Sequence, residues 1–318
     1  MNLKKSELKI ENILFDSSYQ KQPIAGYIFT NPAVAPFAIL QISHGMAEYI
    51  MRYEPFADYL ARHGFVVCGN DHLGHGDTSG VFYPDGFFAP KNGQDYVLAD
   101  LLQMNQIIRA RYPALPLVLL GHSMGSFFAR WLIEAHPQAA DAAIICGTGG
   151  SNPIGGVGIA LTTVLAKLRG AGYHSKFVNN LAFGEYNKRI TDCKTEYDWL
   201  SVNEDNVSDY MADPKCGFSF TVSAWNAVMK VLQHVNSQKC IDSTRKDIPL
   251  YIIAGEEDPV GNYGEGPAQV AKRLKDAGAQ NVLLSLYDGM RHEILNETNA
   301  EQVRSDILIW SRHALNLL

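Results

Sequence analysis

Leu117-Val118-Leu119-Leu120-Gly121-His122-Ser123-Met124-Gly125-Ser126-Phe127 is the stretch whose reading settles the fold. Its first four residues form an apolar run suited to a buried strand, and from Met124 to Glu134 the spacing is helical. Ser123 therefore falls on the turn between a strand and a helix, where a nucleophilic serine would be held out. Gly121 and Gly125 fit such an elbow, because a tight strand-to-helix turn needs backbone freedom and leaves no room for β-carbons. With 27 glycines in the chain the G-x-S-x-G pattern alone is weak, and an ordinary N-cap serine would look the same. The flanking strand and helix make Ser123 a candidate nucleophile.

Working outward, Phe37 to Ile42, Phe65 to Asn70 and Ala142 to Cys146 are further continuous apolar runs of the parallel-sheet kind. Between them lie helical spacings, from Tyr53 to His63, closed by Gly64 as a C-cap, and from Tyr96 to Arg111. Ile10 to Phe15 and Ile24 to Thr30 read as an antiparallel opening hairpin. Later, Pro249 to Gly255 and Val282 to Tyr287 are strands around a helix from Glu265 to Ala277, and Ile294 to Leu317 reads as a closing helix. The alternation predicts an α/β fold, a mostly parallel central sheet with helices on both faces.

From Gly149 to Lys239 the alternation stops, and short helical pieces are separated by Gly, Asn, Asp and Pro. The expected organisation is a core in two parts, 1–148 and 240–318, with an inserted, mainly helical cap at 149–239. Within it Ile154 to Leu168 is almost wholly apolar, which suits the roof of a pocket better than simple core. Asp192 to Asp213 is acidic, with Tyr197, Trp199 and Tyr210 interspersed.

The 318 residues are 47% hydrophobic and carry a net charge of −6, an ordinary globular balance. That charge and the lack of Lys/Arg runs exclude a nucleic-acid footprint and a polybasic membrane anchor. Met1-Asn2-Leu3-Lys4-Lys5-Ser6-Glu7 leads into Leu8-Lys9-Ile10-Glu11 without the apolar stretch of a signal peptide, so a cytoplasmic location is expected. Cys68, Cys146, Cys193, Cys216 and Cys240 are odd in number and scattered, which suits neither a disulfide framework nor a zinc site. Ala142 to Ala166 is uncharged but is broken by Gly147 to Pro153, so neither piece could span a bilayer. The glycine-rich loop Asp71 to Gly80 lacks both G-x-G-x-x-G and a Walker lysine, and its histidines and Asp71 are expected to hydrogen-bond the loop to itself. Nothing points to a particular oligomeric state.

An acid and a histidine follow the last two strands. Asp258 comes just past Gly255-Glu256-Glu257, and His292 just past Asp288-Gly289-Met290-Arg291. Loops at the carboxyl ends of parallel strands converge on one crevice, so Ser123, Asp258 and His292 would meet in the chain order of an α/β-hydrolase triad. Glu256, Glu257 and Asp288 are rivals for the acid. A serine hydroxyl needs a base to take its proton, and His292 would serve, with Asp258 fixing its tautomer. His44 and His122 read as loop-fixing hydrogen-bonders. This chemistry needs no cofactor and no metal.

The motifs together, His44-Gly45-Met46-Ala47-Glu48 with Arg52-Tyr53, then Asp71-His72-Leu73-Gly74-His75-Gly76, then Gly121 to Gly125, then His292-Glu293, resemble the monoglyceride lipase and lysophospholipase family of α/β-hydrolases. The resemblance covers nearly the whole core and matches the cap weakly. It implies a lid inserted between core strands, a Ser-Asp-His triad, and hydrolysis of lipid monoesters. It also implies that the backbone N–H groups of Met46 and Met124 form the oxyanion hole. Asp258 is the acid at the family position. Two departures stand out: Tyr49, where many members carry histidine, and Ser126, where a further glycine is common. Both bear on the lining of the headgroup end of the pocket.

The expected activity is that of a serine ester hydrolase acting on monoacylglycerols or lysophospholipids through an acyl-enzyme on Ser123. Its partner is a small lipid or ester substrate, with transient contact between the cap and a membrane or micelle. The alternatives are a general carboxylesterase for short acyl esters, and an aminopeptidase-type amide hydrolase in which Glu204, Asp205 and Asp209 would bind an α-ammonium. A hydrolase-fold binding protein without activity would show a broken triad, unlike this chain.

Overall fold

The computed structural model of the chain describes residues 7–80, 83–151 and 155–317. Outside them fall Met1 to Ser6, the start of the charged N-terminal stretch, and Asn152 to Ile154, including the first residue of the expected apolar helix. Eight strands form one sheet: β1 (Lys9–Asp16), β2 (Pro23–Thr30), β3 (Ala38–Ser43), β4 (Phe65–Asn70), β5 (Leu117–His122), β6 (Ala142–Cys146), β7 (Leu250–Gly255) and β8 (Val282–Tyr287), in the order β1-β2-β4-β3-β5-β6-β7-β8. The hairpin β1–β2 is antiparallel and joins β4 antiparallel, while β3 through β8 are parallel to one another.

Ten α-helices accompany the strands among the described residues: α1 (Glu54–Arg62), α2 (Gly93–Arg111), α3 (Met124–Ala135), α4 (Gly155–Arg169), α5 (Lys176–Phe183), α6 (Glu204–Ala212), α7 (Val222–Val235), α8 (Gln238–Ser243), α9 (Glu265–Asp276) and α10 (Ala300–Ala314). Strand side chains alternate between faces, and two cores result. Ile39, Val66, Leu117 and Leu119 pack with Leu101 of α2, Phe128 of α3 and Val270 of α9. Leu40, Val67, Val118 and Leu120 pack on the other face with Phe56 of α1 and Ile307 of α10. The expected doubly covered sheet is therefore observed.

The closing helix departs from the expectation, beginning at Ala300 instead of Ile294. The intervening residues are committed elsewhere. Glu297 accepts from the backbone N–H groups of Arg291 and Val202, and Asn296 binds Asn203 and Glu293. Side chains used this way hold the segment in turns.

Five helices, α4 to α8, and no strand occupy the described residues between β6 and β7. α8 crosses the expected boundary at 239/240. No helix of the described residues is long and apolar enough to cross a membrane.

Candidate active site

Ser123 has φ 52° and ψ −121° between β5 and α3, a conformation that an L-residue holds only when its surroundings enforce it. Its N–H donates to the Cys146 carbonyl at 2.9 Å, clamping the turn to the end of β6. A β-carbon on Gly125 would fall inside the contact distance of the Ser43 carbonyl oxygen, and one on Gly121 would do the same at the Gly125 carbonyl. Gly125 is thus required by the close approach of α3 to β3, and Gly121 by the close approach of α3 to β5.

His292 and Asp258 reach the same end of the sheet. Nδ1 of His292 faces Oδ2 of Asp258 at 2.9 Å, and both side chains are buried. The second Asp258 oxygen accepts from the Val260 N–H at 2.9 Å, which fixes the carboxylate. Among the four acids considered, Asp258 is the one that faces the histidine. Ser123, His292, Met46 and Met124 all line one cavity of about 820 Å³. The Met124 N–H opens α3, where first-turn N–H groups lack intrahelical acceptors. Among the described residues nothing accepts from the Met46 N–H, while its neighbours are tied down: Gly45 N–H donates to Glu48 Oε1 at 2.5 Å and Ala47 N–H to His75 Nε2 at 3.2 Å.

The remaining wall comes from the β6–β7 segment. α4 supplies Gly158 and Leu161, α5 supplies Phe183, and α7 supplies Trp225 and Met229. Val164 and Leu168, one and two turns beyond Leu161 along α4, are exposed. Trp199 from the acidic stretch lies with its ring 5.2 Å from that of His292, and the Glu293 N–H donates to the Leu200 carbonyl at 2.7 Å. The histidine loop is thereby seated on the β6–β7 segment.

Of the other sequence-marked residues, His44, His72 and His75 are buried and hold the loops together as expected. His44 Nε2 accepts from the His72 N–H at 2.9 Å, and Asp71 accepts from the N–H groups of Ile50 and Asp77. Burial drives His44 down to about 4 and His75 to about 3, so both are neutral at pH 7. Tyr49 does not line the cavity, and its hydroxyl donates to Asp213. Ser126 is buried and donates to the Ser123 carbonyl at 2.5 Å. Both departures from the family pattern are therefore structural. Glu204, Asp205 and Asp209 stay outside the cavity wall, Glu204 pairing with Lys194.

Among the described residues one group has donor atoms close enough to invite a metal. Glu134, His234 and Cys240 place them within 4.8 Å of one another, away from the cavity. Burial and Glu134 push the Cys240 thiol up to about 11, so it is protonated at neutral pH and a poor ligand.

Comparison with known proteins decides the family. The model of the family described as serine aminopeptidase, S33, matches residues 21–299. The chain belongs to that family. It is 26% identical to the monoglyceride lipase homolog of Monkeypox virus, over 89% of this chain and 92% of that protein. The monoacylglycerol lipase of Mycolicibacterium smegmatis is 25% identical, over 89% and 91%. Among solved structures, a highly thermostable carboxyl esterase from Bacillus coagulans, in complex with glycerol, superposes with a TM-score of 0.87 at 28% identity, covering 96% of this chain and 98% of that one. The S33 member described here is thus an α/β-hydrolase of the serine carboxylic-ester hydrolase kind, resembling monoglyceride lipases.

What the sequence did not single out is the company of Glu48. It is paired with Arg52 and His122, Arg52 in turn holding Glu293, beside the elbow at the cavity wall. Glu48, Arg52 and Glu293 were visible only as parts of motifs, because their pairing spans up to 241 residues.

Proposed function

We propose that the enzyme cleaves the acyl ester of monoacylglycerols or lysophospholipids through an acyl-enzyme on Ser123. The cavity carries this reading. Its volume of about 820 Å³ and its lining of Leu161, Phe183, Trp225 and Met229 suit one acyl chain, with Ser123 and His292 in the same wall. Ser123 Oγ attacks the acyl carbonyl carbon while its proton passes to His292, and the oxyanion that forms meets the Met46 and Met124 N–H groups. Collapse of the tetrahedral intermediate expels the alcohol, which takes the proton from His292. A water molecule, activated by the same histidine, then releases the fatty acid. Asp258, facing Nδ1 at 2.9 Å, keeps the other ring nitrogen free for these transfers.

In this reading residues 149–239 are a cap over a core formed by 1–148 and 240–318, and the cap selects the substrate. Its exposed apolar side chains, Val164 and Leu168 on α4 with Phe177 and Leu181 on α5, would touch a membrane or micelle transiently. Five free cysteines agree with a cytoplasmic enzyme. Of the acids in the cavity wall, Glu48 and Glu293 are bound by Arg52 and Glu265 accepts from Asn262, so an amide hydrolase for N-terminal residues would have to hold the α-ammonium on the exposed Glu196.

A panel in which acyl length and headgroup vary independently, run beside Ser123→Ala, tests the assignment. The expected result is activity sustained on long-chain monoesters and lost, together with fluorophosphonate labelling, in Ser123→Ala. Activity confined to short acyl esters would make the enzyme a general carboxylesterase instead, and turnover by Ser123→Ala would remove the elbow from the mechanism.

A further inference from the structure

Four ionisable side chains meet beside the elbow, three of them, Glu48, His122 and Glu293, at the cavity wall. Glu48, His122 and Glu293 are buried, and the Arg52 side chain is only 10% exposed. Arg52 Nη1 reaches Glu48 Oε2 at 3.3 Å and Glu293 Oε1 at 2.6 Å, while its Nη2 donates to Glu293 Oε2 at 2.9 Å. On its other oxygen Glu48 accepts from the Gly45 N–H and from the Tyr53 hydroxyl at 2.8 Å, and faces His122 Nδ1 at 3.0 Å. The second nitrogen of His122, Nε2, faces the backbone carbonyl oxygen of His292 at 3.2 Å.

Both His122 nitrogens thus face oxygens that can only accept. A neutral imidazole has one N–H and would turn a lone pair on one of them, whereas the imidazolium has a donor for each. The charges lead to the same place. Two carboxylates against one guanidinium leave a buried negative charge uncompensated unless the cluster holds one more proton. Because Glu48 Oε1 already accepts from the Gly45 N–H and the Tyr53 hydroxyl, the His122 ring, with an acceptor at each nitrogen, is where that proton fits. The other groups facing the ring are neutral or engaged. His44 donates from Nδ1 to Gly45 and accepts at Nε2, and the His292 ring is turned to Asp258. Burial pushes the Tyr53 and Tyr210 hydroxyls and the Cys146 and Cys216 thiols above their ordinary values, so they stay protonated.

We propose that His122 is held as an imidazolium across the working pH range, and that Glu48, Arg52, His122 and Glu293 form a charge-neutral quartet that positions the oxyanion loop, the elbow and the histidine loop together. Each loop is gripped beside its reacting residue. Glu48 holds the N–H of Gly45, one residue before Met46; His122 precedes Ser123; and His292 is gripped through its own carbonyl, with Glu293 following it. Asn206 of α6 extends the grip to the β6–β7 segment, accepting from Arg52 at 3.0 Å and donating to Glu293 at 2.8 Å. His122 is thus a positioning residue without a lone pair to act as base. Although burial opposes the charge on His122, the hydrogen bond and charge of Glu48 hold its pKa above the ordinary imidazole value. Glu48, for which burial also works against charge, is held well below the carboxylate range by His122 and Arg52.

The proposal rests on the reading of Ser123 and His292 as nucleophile and base, and its test separates the two. Nitrogen-15 spectra of histidine-labelled enzyme, with His122 assigned by its loss in His122→Gln, should show both ring nitrogens protonated from about pH 6 to about pH 8, in the wild type and in Ser123→Ala. One unprotonated nitrogen at about pH 7 overturns the proposal, whatever the activity. In kinetics, Glu48→Gln and His122→Gln should each lower kcat at least about tenfold with KM within about threefold, a loss confined to the reacting geometry. The double variant, neutral again, should exceed the weaker single variant by more than about threefold. A double variant no better than the weaker single one overturns the charge-balanced quartet. Failure of the wild type to label with a fluorophosphonate, alongside an intact imidazolium signal, overturns the triad reading alone.

Discussion

The Tyr49 hydroxyl donates to the Asp213 carboxylate at 2.7 Å, tying the loop after β3 to the residue that ends α6. The same carboxylate accepts from the Lys215 N–H on its other oxygen at 2.8 Å. Gly217 N–H and the Tyr210 hydroxyl both reach the Ala47 carbonyl nearby. A position that sequence comparison would assign to the headgroup end of a pocket is instead a tether. Tyr49→Phe should lower stability by about 1–2 kcal/mol, the worth of a part-buried hydrogen bond to a charged group. It should leave the order of headgroup preference unchanged. Urea unfolding and the headgroup panel check this, and a reordered preference would place Tyr49 against substrate after all.

Asp258→Asn keeps the shape of the buried carboxyl but lets an amide face Nδ1 of His292, which stabilises the wrong tautomer. The expected loss in kcat is on the order of 10⁴-fold, with KM and Tm little altered. Steady-state kinetics decide, and a loss smaller than about tenfold would take Asp258 out of the mechanism.

Much of this could be read from the chain because the sheet is built from continuous apolar runs. Leu117 to Leu120, Ala142 to Cys146 and Leu250 to Gly255 are buried on both faces, so their apolar pattern admits little else. Strand ends then place Ser123, Asp258 and His292 in order. What stayed hidden depends on distant partners. The turns at Ile294 to Asn299 look helical until Glu297 is seen bonded to Val202, and Arg52 looks like a surface arginine until Glu293 closes on it. Of the cavity wall only α4 was legible, its apolar run suiting a pocket roof, and Gly158 and Leu161 do line the cavity; α5 and α7 join it from a segment without strand periodicity.

Gly125→Ala tests how tightly the elbow is held. The added methyl meets the Ser43 carbonyl, which belongs to β3 and cannot retreat, so α3 must shift. Overpacking of this kind costs about 1–3 kcal/mol. A shift of about 1 Å at Ser123 should lower kcat about 100-fold. Chemical denaturation and fluorophosphonate labelling rates give both numbers, and a variant with wild-type labelling would show that the turn has slack.

Stability should peak near pH 6.5 and fall on both sides. Burial lowers His44, His72 and His75 in the folded state, so their neutral forms contribute fully above the unfolded value near 6.5, and that contribution is lost as pH falls. Burial raises Asp71 and Asp100 to about 6, which acts in the opposite sense between about pH 6 and 4. Three groups against two leave a net loss of about 1.4 kcal/mol per pH unit in that window. Below about pH 4.5 the loss steepens as Glu48 and Glu293, both held low, begin to protonate in the unfolded chain first. Above pH 6.5 the raised pKa of His122 reverses the sign, and its contribution is lost as pH rises through its folded value. Urea unfolding between about pH 4 and 8.5 measures the curve, and stability rising steadily on acidification would contradict it.

The apolar surface of α4 and α5 gives the last test. Val164, Leu168 and Phe177 are 52%, 74% and 65% exposed, with Lys167, Arg169 and Lys176 beside them. Leu161, on the same helix, faces the cavity, so a lipid surface in contact with α4 would lie next to the site. Replacing Leu168 and Phe177 together by serine removes apolar area without opening a core, and folding stability should change by less than about 1 kcal/mol. Binding to anionic vesicles should weaken at least about tenfold, because each large side chain contributes roughly 1.5–3 kcal/mol when fully buried and less at a membrane surface. Hydrolysis of a water-soluble short ester should be unaffected, since neither side chain lines the cavity. Vesicle sedimentation beside the two assays separates the effects: equal binding by variant and wild type would show that this surface does not meet lipid.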